Sequence, residues 1–479
     1  MMVIAALTRL WNLGYPARLV FDETYYVKDA LSLSLEGHEK SWPDGADAAF
    51  QSGGVFGYLD QAAFVVHPPL GKWLIATGIW ITGPEVSTGW RLSTAVLGIA
   101  TVGLIMLVAL KLFRSTPVAI LAGFLLAIDG LAITLSRTAL LDTSLTFFLL
   151  LGFWFFLLDQ ESSRVRITRA IEGSRNSILW LRPWLILTGV ALGAASSIKW
   201  SGLYLLAGIG LYVVVSESLL RKNSGESNWL RKGIILQGAF SFLSLVPVAI
   251  ATYLLTWMGW ILGSGGYLRN WAAENPPTGF FALFPDWMLS LWRYHEMIYN
   301  FHVNLTKEHS YEAHPLGWLV GLRPTAFFYE SYPQGTNGCQ IADSCSSAIT
   351  ALGNPFIWIS STAALIYLIY RYARNRERVL GLVLLGTASL YVPWIILSER
   401  TVFQFYVVSF QPWLILGLVL AIQQLRRKML AKSRTLANST VVGFVALSFG
   451  AFLFFLPVNT GMYLPFDLWQ IRMWLPSWI

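Results

Sequence analysis

Two carboxylates stand side by side in Phe21-Asp22-Glu23-Thr24-Tyr25-Tyr26. Such a group can take a proton from a hydroxyl, and a like-charged neighbour raises its pKa toward the working range of a general base. Further along comes His67-Pro68-Pro69-Leu70-Gly71-Lys72. Its two prolines remove two backbone donors and stiffen the chain, which fixes His67 and Lys72 at the start of a helix. Cations recur at the ends of apolar stretches, at Arg91, Arg137, Lys199 and Arg400, with Asp129, Asp142 and Glu399 among them. Arg grips phosphate through its planar fork. Each feature alone has a plainer reading: acidic pairs are solvated, prolines begin helices, and charges near a bilayer pair or snorkel.

The elements that must position these groups are membrane helices. Only 13% of the 479 residues are charged, 55% are hydrophobic and the mean hydropathy is +0.55. A soluble domain carries about 25% charged residues, and so much apolar area excludes disorder. A transmembrane barrel would alternate over about ten residues at a time, whereas the apolar runs here are long and unbroken. With roughly 20 residues per crossing, runs near 1–13, 92–110, 117–134, 140–158, 183–198, 201–217, 234–258, 353–370, 380–398, 402–424 and 438–457 give eleven spans. The first is short, at about 20 Å of helix. A truncated N-terminus, a helix that sinks part-way and a cleaved signal peptide are the readings it leaves, the last without a small-residue cleavage site before Phe21.

Charge sets the orientation. Short loops after every second span hold 20 basic residues against 6 acidic, from Lys111 and Arg114 to Lys432 and Arg434. The positive-inside rule makes these loops cytoplasmic. The net charge of +8 is therefore a topology signal and not a nucleic-acid surface. The N-terminus falls inside, and the C-terminus and two long segments, 14–91 and 259–352, fall outside. Asp22, Glu23, His67, Lys72 and the cations at the span ends then converge on that outer face, where a carboxylate for a proton and cations for a phosphate belong together.

The second outer segment adds His295, His302, His309, His314 and Arg323. The first three are seven apart, about 10.5 Å per step on a helix, too far to share a metal. No zinc-type spacing occurs, so contacts to sugar or peptide, or support of the site, are the better reading. Gly263-Ser264-Gly265-Gly266 reads as a turn before a phosphate nest. Cys339 and Cys345, in the same segment, form either a disulfide or two free thiols.

Phe21-Asp22-Glu23, His67-Pro68-Pro69-Leu70-Gly71-Lys72, Arg137 with Leu141-Asp142, Ser197-Ile198-Lys199-Trp200-Ser201-Gly202-Leu203 and Leu352-Gly353-Asn354-Pro355 follow one another as in the protein O-mannosyltransferases, which the chain resembles over almost its whole length. The resemblance implies an all-α integral membrane protein of the GT-C glycosyltransferase fold, with residues 1–479 as one catalytic domain. It implies transfer of mannose, with inversion, from polyprenyl-phosphate mannose to Ser or Thr of exported proteins at the outer face of the cytoplasmic membrane. Asp22 is then the base and Glu23 its neighbour. Arg91, Arg137, Lys199 and Arg400, with His67 and Lys72, are candidates for the donor phosphate and sugar. Arg9, Asp142, His295, His314 and Arg323 are candidates for acceptor contact or support. No cofactor or metal is implied, and work beside the secretion channel is left open. Eukaryotic members carry a β-trefoil MIR domain in the second large outer loop; 259–352 is too short and lacks its repeat, which points to the bacterial, actinobacterial type. The rivals are a transferase of the same fold acting on a lipid or glycan, a transporter, which would show inverted repeats and midplane charges, and a structural scaffold.

Overall fold

The computed structural model describes residues 1–336, 339–340 and 342–479. All eleven apolar runs contain helix. In chain order the main elements are α1 (Met2–Leu10), α2 (Glu23–Glu36), α3 (Leu70–Thr82), α4 (Ser87–Phe113), α5 (Thr116–Ala127), α6 (Gly130–Ser136), α7 (Asp142–Glu172) and α8 (Pro183–Ser196). They continue with α9 (Gly202–Asn223), α10 (Gly238–Thr256), α11 (Asp286–Val303), α12 (Pro355–Asn375), α13 (Arg378–Ile396), α14 (Gln411–Leu430) and α15 (Arg434–Thr460). A π-helical turn, Arg231–Gln237, leads into α10.

Seven of these, α4, α7, α9, α10 with its π turn, α12, α13 and α15, are long and apolar enough to cross a bilayer, and the α5–α6 pair makes an eighth if taken as one bent span. The count of eleven is not reached on that measure. Helices α1 and α8 have 9 and 14 residues, and α14 carries Arg426, Arg427 and Lys428 in its last turns.

The run 117–134 is not one straight helix, because it bends by 63° between Ala127 and Gly130. Asp129 is the cause. Its buried carboxylate accepts from the amides of Ala132 and Asn354, from Trp358 Nε1 and from Gln411 Nε2, so it caps α6 and ties three distant segments together. The run 402–424 also starts late: residues 404–409 form a 3-10 turn, and the α-helix begins at Gln411 beside Pro412. From Gln411 to Leu420 every residue of α14 is buried, as a helix apolar all round must be at the centre of a bundle.

Small residues set the closest approaches. A Cβ on Gly78 of α3 would lie 2.0 Å from the carbonyl oxygen of Gly89 in α4. A Cβ on Gly71 would lie 2.6 Å from Leu141 Cδ2. Close packing through small side chains replaces the hydrophobic drive that helices lack in lipid. At the far end, Arg182 pairs with Asp159 and, at 2.6 Å, with Glu217, all buried.

Helices dominate, with one addition. Strands β1 (Ala326–Pro333), β2 (Ser344–Thr350) and β3 (Tyr463–Pro465) form an antiparallel sheet in the order β1-β2-β3. Cys339 and Cys345 are joined as a disulfide between β1 and β2. The Tyr15 hydroxyl meets Ser347 Oγ at 2.9 Å, which anchors this sheet to the chain leading into Asp22.

Candidate active site

Asp22 and Glu23 occupy the junction between α1 and α2, and the structure gives them different surroundings. Phe21 has φ +49°, a left-handed conformation that L residues rarely adopt. It is held there by an aromatic nest: its ring stacks on Phe327 at 4.8 Å and meets Phe405 edge-on at 5.7 Å. That turn places Asp22 at the N-cap of α2. An N-cap Asp ordinarily accepts from its own helix, but Asp22 makes no such bond. Burial pushes its carboxyl up to about 6, with Lys199 opposing and Asp142 adding to the shift.

Glu23 is buried completely and fully engaged. It forms a bidentate pair with Arg91, Nε to Oε1 at 2.7 Å and an NH2 proton to Oε2 at 2.8 Å. It also accepts from the Ala139 amide at 2.8 Å and the Val20 amide at 3.0 Å. Arg91 donates further to the carbonyls of Leu13, Pro16 and Arg18. All five guanidinium protons are thereby used inside the protein, and none remains for a phosphate.

Lys199 sits differently. Its Nζ lies 2.9 and 2.8 Å from the two oxygens of Asp142, at the first residue of α7. An ammonium has three protons, so one remains, and the side chain is 13% exposed. The ammonium also lies over the Tyr406 ring at 5.1 Å. The Leu70 amide donates to the Ser197 carbonyl at 3.0 Å, which ties the His-Pro-Pro segment to the strip carrying Lys199.

His67 stacks near His302 at 5.3 Å and near Tyr26 at 6.2 Å. Burial, then the charges of Lys199, Lys72 and Arg400 and the neighbouring His302, hold its imidazole well below the usual histidine range. His67 is therefore held toward the neutral form, which disfavours it as a phosphate cation. His302 is pushed down to about 4, chiefly by burial, and its Nε2–H donates to the Val66 carbonyl at 2.9 Å. Arg400 lies over Trp394 at 5.7 Å, with its charge felt at His67 and His302.

The other expected cations are occupied elsewhere. Lys72 pairs with Glu39 and donates to the His67 carbonyl at 3.1 Å, with its side chain only 1% exposed. Arg137 donates to the carbonyls of Thr8, Arg9, Trp11 and Asn12, the open end of α1, where a helix dipole favours a cation. Arg9 donates to the carbonyls of Leu126 and Ala127 and pairs with no carboxylate among the described residues. Arg91 and Lys72 are thus engaged inside the protein, whereas Arg137 holds the end of α1 and keeps Nε and one NH2 proton without a partner among the described residues.

His295 donates through Nδ1 to the Leu291 carbonyl at 2.7 Å, so its Nε2 accepts from the Tyr253 hydroxyl at 2.6 Å. It stacks on Trp200 at 5.8 Å and supports the residue next to Lys199. His302 lies two turns along the same helix, while His309 falls beyond its end. Among the described residues, no three of His, Cys, Asp and Glu come together as a metal set. His314 is exposed and caps the turn Pro315–Trp318. Arg323 binds the carbonyls of Ser310, Ser477 and Ile479 and pins the C-terminus. Neither belongs to the Asp22 cluster.

Comparison with known proteins gives the family. Residues 84–262 match the model of dolichyl-phosphate-mannose-protein mannosyltransferases, and residues 288–478 match that of the C-terminal four-helix membrane region of protein O-mannosyltransferases. The polyprenol-phosphate-mannose–protein mannosyltransferase of Mycolicibacterium smegmatis is 32% identical over 494 residues, covering 99% of this chain and 91% of that protein. The chain belongs to the protein O-mannosyltransferase family.

Solved structures extend the likeness to the fold. The yeast protein O-mannosyltransferase Pmt1-Pmt2 complex bound to the sugar donor matches with TM-score 0.74 at 16% identity, over 100% of this chain and 91% of that one. ArnT from Cupriavidus metallidurans, bound to undecaprenyl phosphate, matches with TM-score 0.53 at 15% identity, over 96% and 76%. The GT-C fold implied by the sequence motifs is the fold of this O-mannosyltransferase. Two residues of the site escaped the sequence reading. Tyr26 lies near both Asp22 and Asp142, and burial, then those two charges, push its phenol well above 10. It stays a hydroxyl donor. Tyr406 packs under Lys199 from within a run that reads only as apolar.

Proposed function

We propose that the chain transfers mannose from polyprenyl-phosphate mannose to Ser and Thr hydroxyls of exported proteins, with inversion and with Asp22 as general base. The name of the mycolicibacterial relative supports the donor and the acceptor class. The observation that carries the mechanism is the contrast between Glu23, clamped by Arg91, and Asp22, which has no capping bond and a carboxyl raised to about 6. A base of that pKa is ionised at neutral pH yet close enough to it to accept a proton.

The acceptor oxygen attacks the anomeric carbon as Asp22 removes its proton. The carbon–oxygen bond to the phosphate breaks, and the polyprenyl phosphate leaves. The donor phosphate is a monoanionic diester and departs as a dianion, so cations in a water-poor pocket favour the transition state over the ground state. The third proton of Lys199 and the guanidinium of Arg400 are the groups for this task. With charge supplied by these side chains, the reaction calls for no metal or cofactor. In this reading the basic loops are cytoplasmic, and the site opens on the extracytoplasmic face of the cytoplasmic membrane, where acceptors reach it.

The test is transfer from labelled polyprenyl-phosphate mannose, with chelator present, to a Ser/Thr-rich peptide and, separately, to lipid acceptors. Label on the peptide, lost when its Ser and Thr are replaced by Ala, is the expected result. Label on lipid alone would overturn the acceptor assignment.

A further inference from the structure

The end of the bundle remote from Asp22 holds a feature that mannosyl transfer does not use. A cavity of about 400 Å³ lies where the middle of α12 and the C-terminal half of α14 meet the N-terminal half of α15. Ala364, Ala421 and Ala437 leave the room, and Leu418 and Phe444 help to line it, so its interior is apolar. Arg426 and Lys428 lie at its edge. They sit about 22 Å along α14 from Gln411, at 1.5 Å per residue, and so at the opposite end from Lys199 and Asp142.

The surroundings are strongly cationic. Segments 371–378 and 426–434 hold nine basic residues and one acid, Glu377, and among the described residues Glu377 pairs with Arg371. Arg426 donates Nε and one NH2 proton to Asn438 Oδ1 at 3.3 and 3.0 Å, which orients its fork and leaves its NH1 protons free. The positive-inside bias explains cations on this face, but it does not explain two of them at the edge of an apolar cavity of ligand size. A free phosphate would leave the apolar volume unfilled, and a lipid without net charge would leave the cations unmatched. A molecule with both an anionic head and a hydrocarbon tail answers both, as in other basic pockets between membrane helices.

We propose that this cavity binds one anionic phospholipid, with an acyl chain inside it and the phosphate on Arg426 and Lys428. The assignment does not depend on the mannosyl-transfer reading; only the leaflet, the cytoplasmic one, follows from the orientation proposed above.

The test uses the full chain purified in detergent, then placed in nanodiscs of phosphatidylglycerol or of phosphatidylcholine. Lipid retained through detergent washing is measured by mass spectrometry, and the melting temperature is followed with each lipid and with inorganic phosphate. Wild type should retain phosphatidylglycerol in preference and be stabilised by it. Arg426→Gln with Lys428→Gln, and separately Ala421→Phe to fill the apolar part, should each lower the retained amount about tenfold or more. Ala421→Phe decides the question even if the double variant fails to fold, because it leaves every charge of this face in place. Equal retention of the two lipids, stabilisation by inorganic phosphate alone, or full retention by a well-folded double variant would overturn the proposal.

Discussion

Arg91 and Glu23 meet as a bidentate pair at 2.7 and 2.8 Å, and Arg91 also holds the carbonyls of Leu13, Pro16 and Arg18 in the chain leading to Asp22. The pair is therefore a staple for the loop that carries the proposed base. The neighbouring carboxylates differ: Glu23 is fully engaged by Arg91 and two amides, and Asp22 makes no capping bond.

Breaking this staple should unfold the loop before it affects chemistry. Glu23→Ala leaves Arg91 buried without its counter-ion, and removing one partner of a buried pair destabilises by about 3–5 kcal/mol. The expected outcome is a clear fall in melting temperature of the purified protein together with loss of transfer. A variant that melts like wild type would show that Glu23 is not structural.

The acid limb of the rate should sit unusually high. Asp22 must be ionised to accept a proton, and its carboxyl is raised to about 6 because burial disfavours the charge. Transfer should therefore fall as pH drops through about 6, where an exposed Asp would titrate near 3.9. A profile of kcat/KM for the peptide checks this, and a rate that is flat down to pH 5 speaks against Asp22 as the base.

Lys199 should matter to the leaving group more than to the fold of the loops. On the proposed mechanism Lys199→Met removes the charge that meets the departing phosphate, and such stabilisation is worth about 10²–10³ in rate. It also leaves Asp142 unpaired. Lys199→Met combined with Asp142→Asn should therefore recover stability but not transfer. Melting curves and kcat measured on both variants separate the two effects.

Much of the fold was legible in the sequence because membrane helices are announced by long apolar runs. What was hidden depends on partners without a sequence signature. Arg91 looks like a phosphate ligand until the Glu23 carboxylate and the backbone carbonyls that use all its protons are seen. Lys72 is bound by Glu39, a residue with nothing to mark it in a loop rich in acids. The bend at Asp129 was equally hidden, since three of its four donors, Asn354, Trp358 and Gln411, lie more than two hundred residues away in the chain. Of the site itself, Asp22, Lys199 and Arg400 stand out by charge in an apolar context. Tyr406 gives no signal at all.

Helix α3 positions the His-Pro-Pro segment through a contact only glycine permits. With a Cβ at Gly78 placed 2.0 Å from the Gly89 carbonyl oxygen, Gly78→Ala must push α3 off α4. Overpacking of that kind is destabilising by about 1–3 kcal/mol. A lowered melting temperature is expected, and an unchanged one would mean that the two helices have slack the close approach does not suggest.

The most direct measurement is mannosyl transfer to a Ser/Thr peptide by Asp22→Asn, compared with wild type in the same membranes. The side chains are nearly the same size and only the proton acceptor is lost. Transfer should fall by about 10²–10⁴-fold while melting temperature and donor binding stay as in wild type. An Asp22→Asn protein that transfers mannose within a few-fold of wild type would contradict the account.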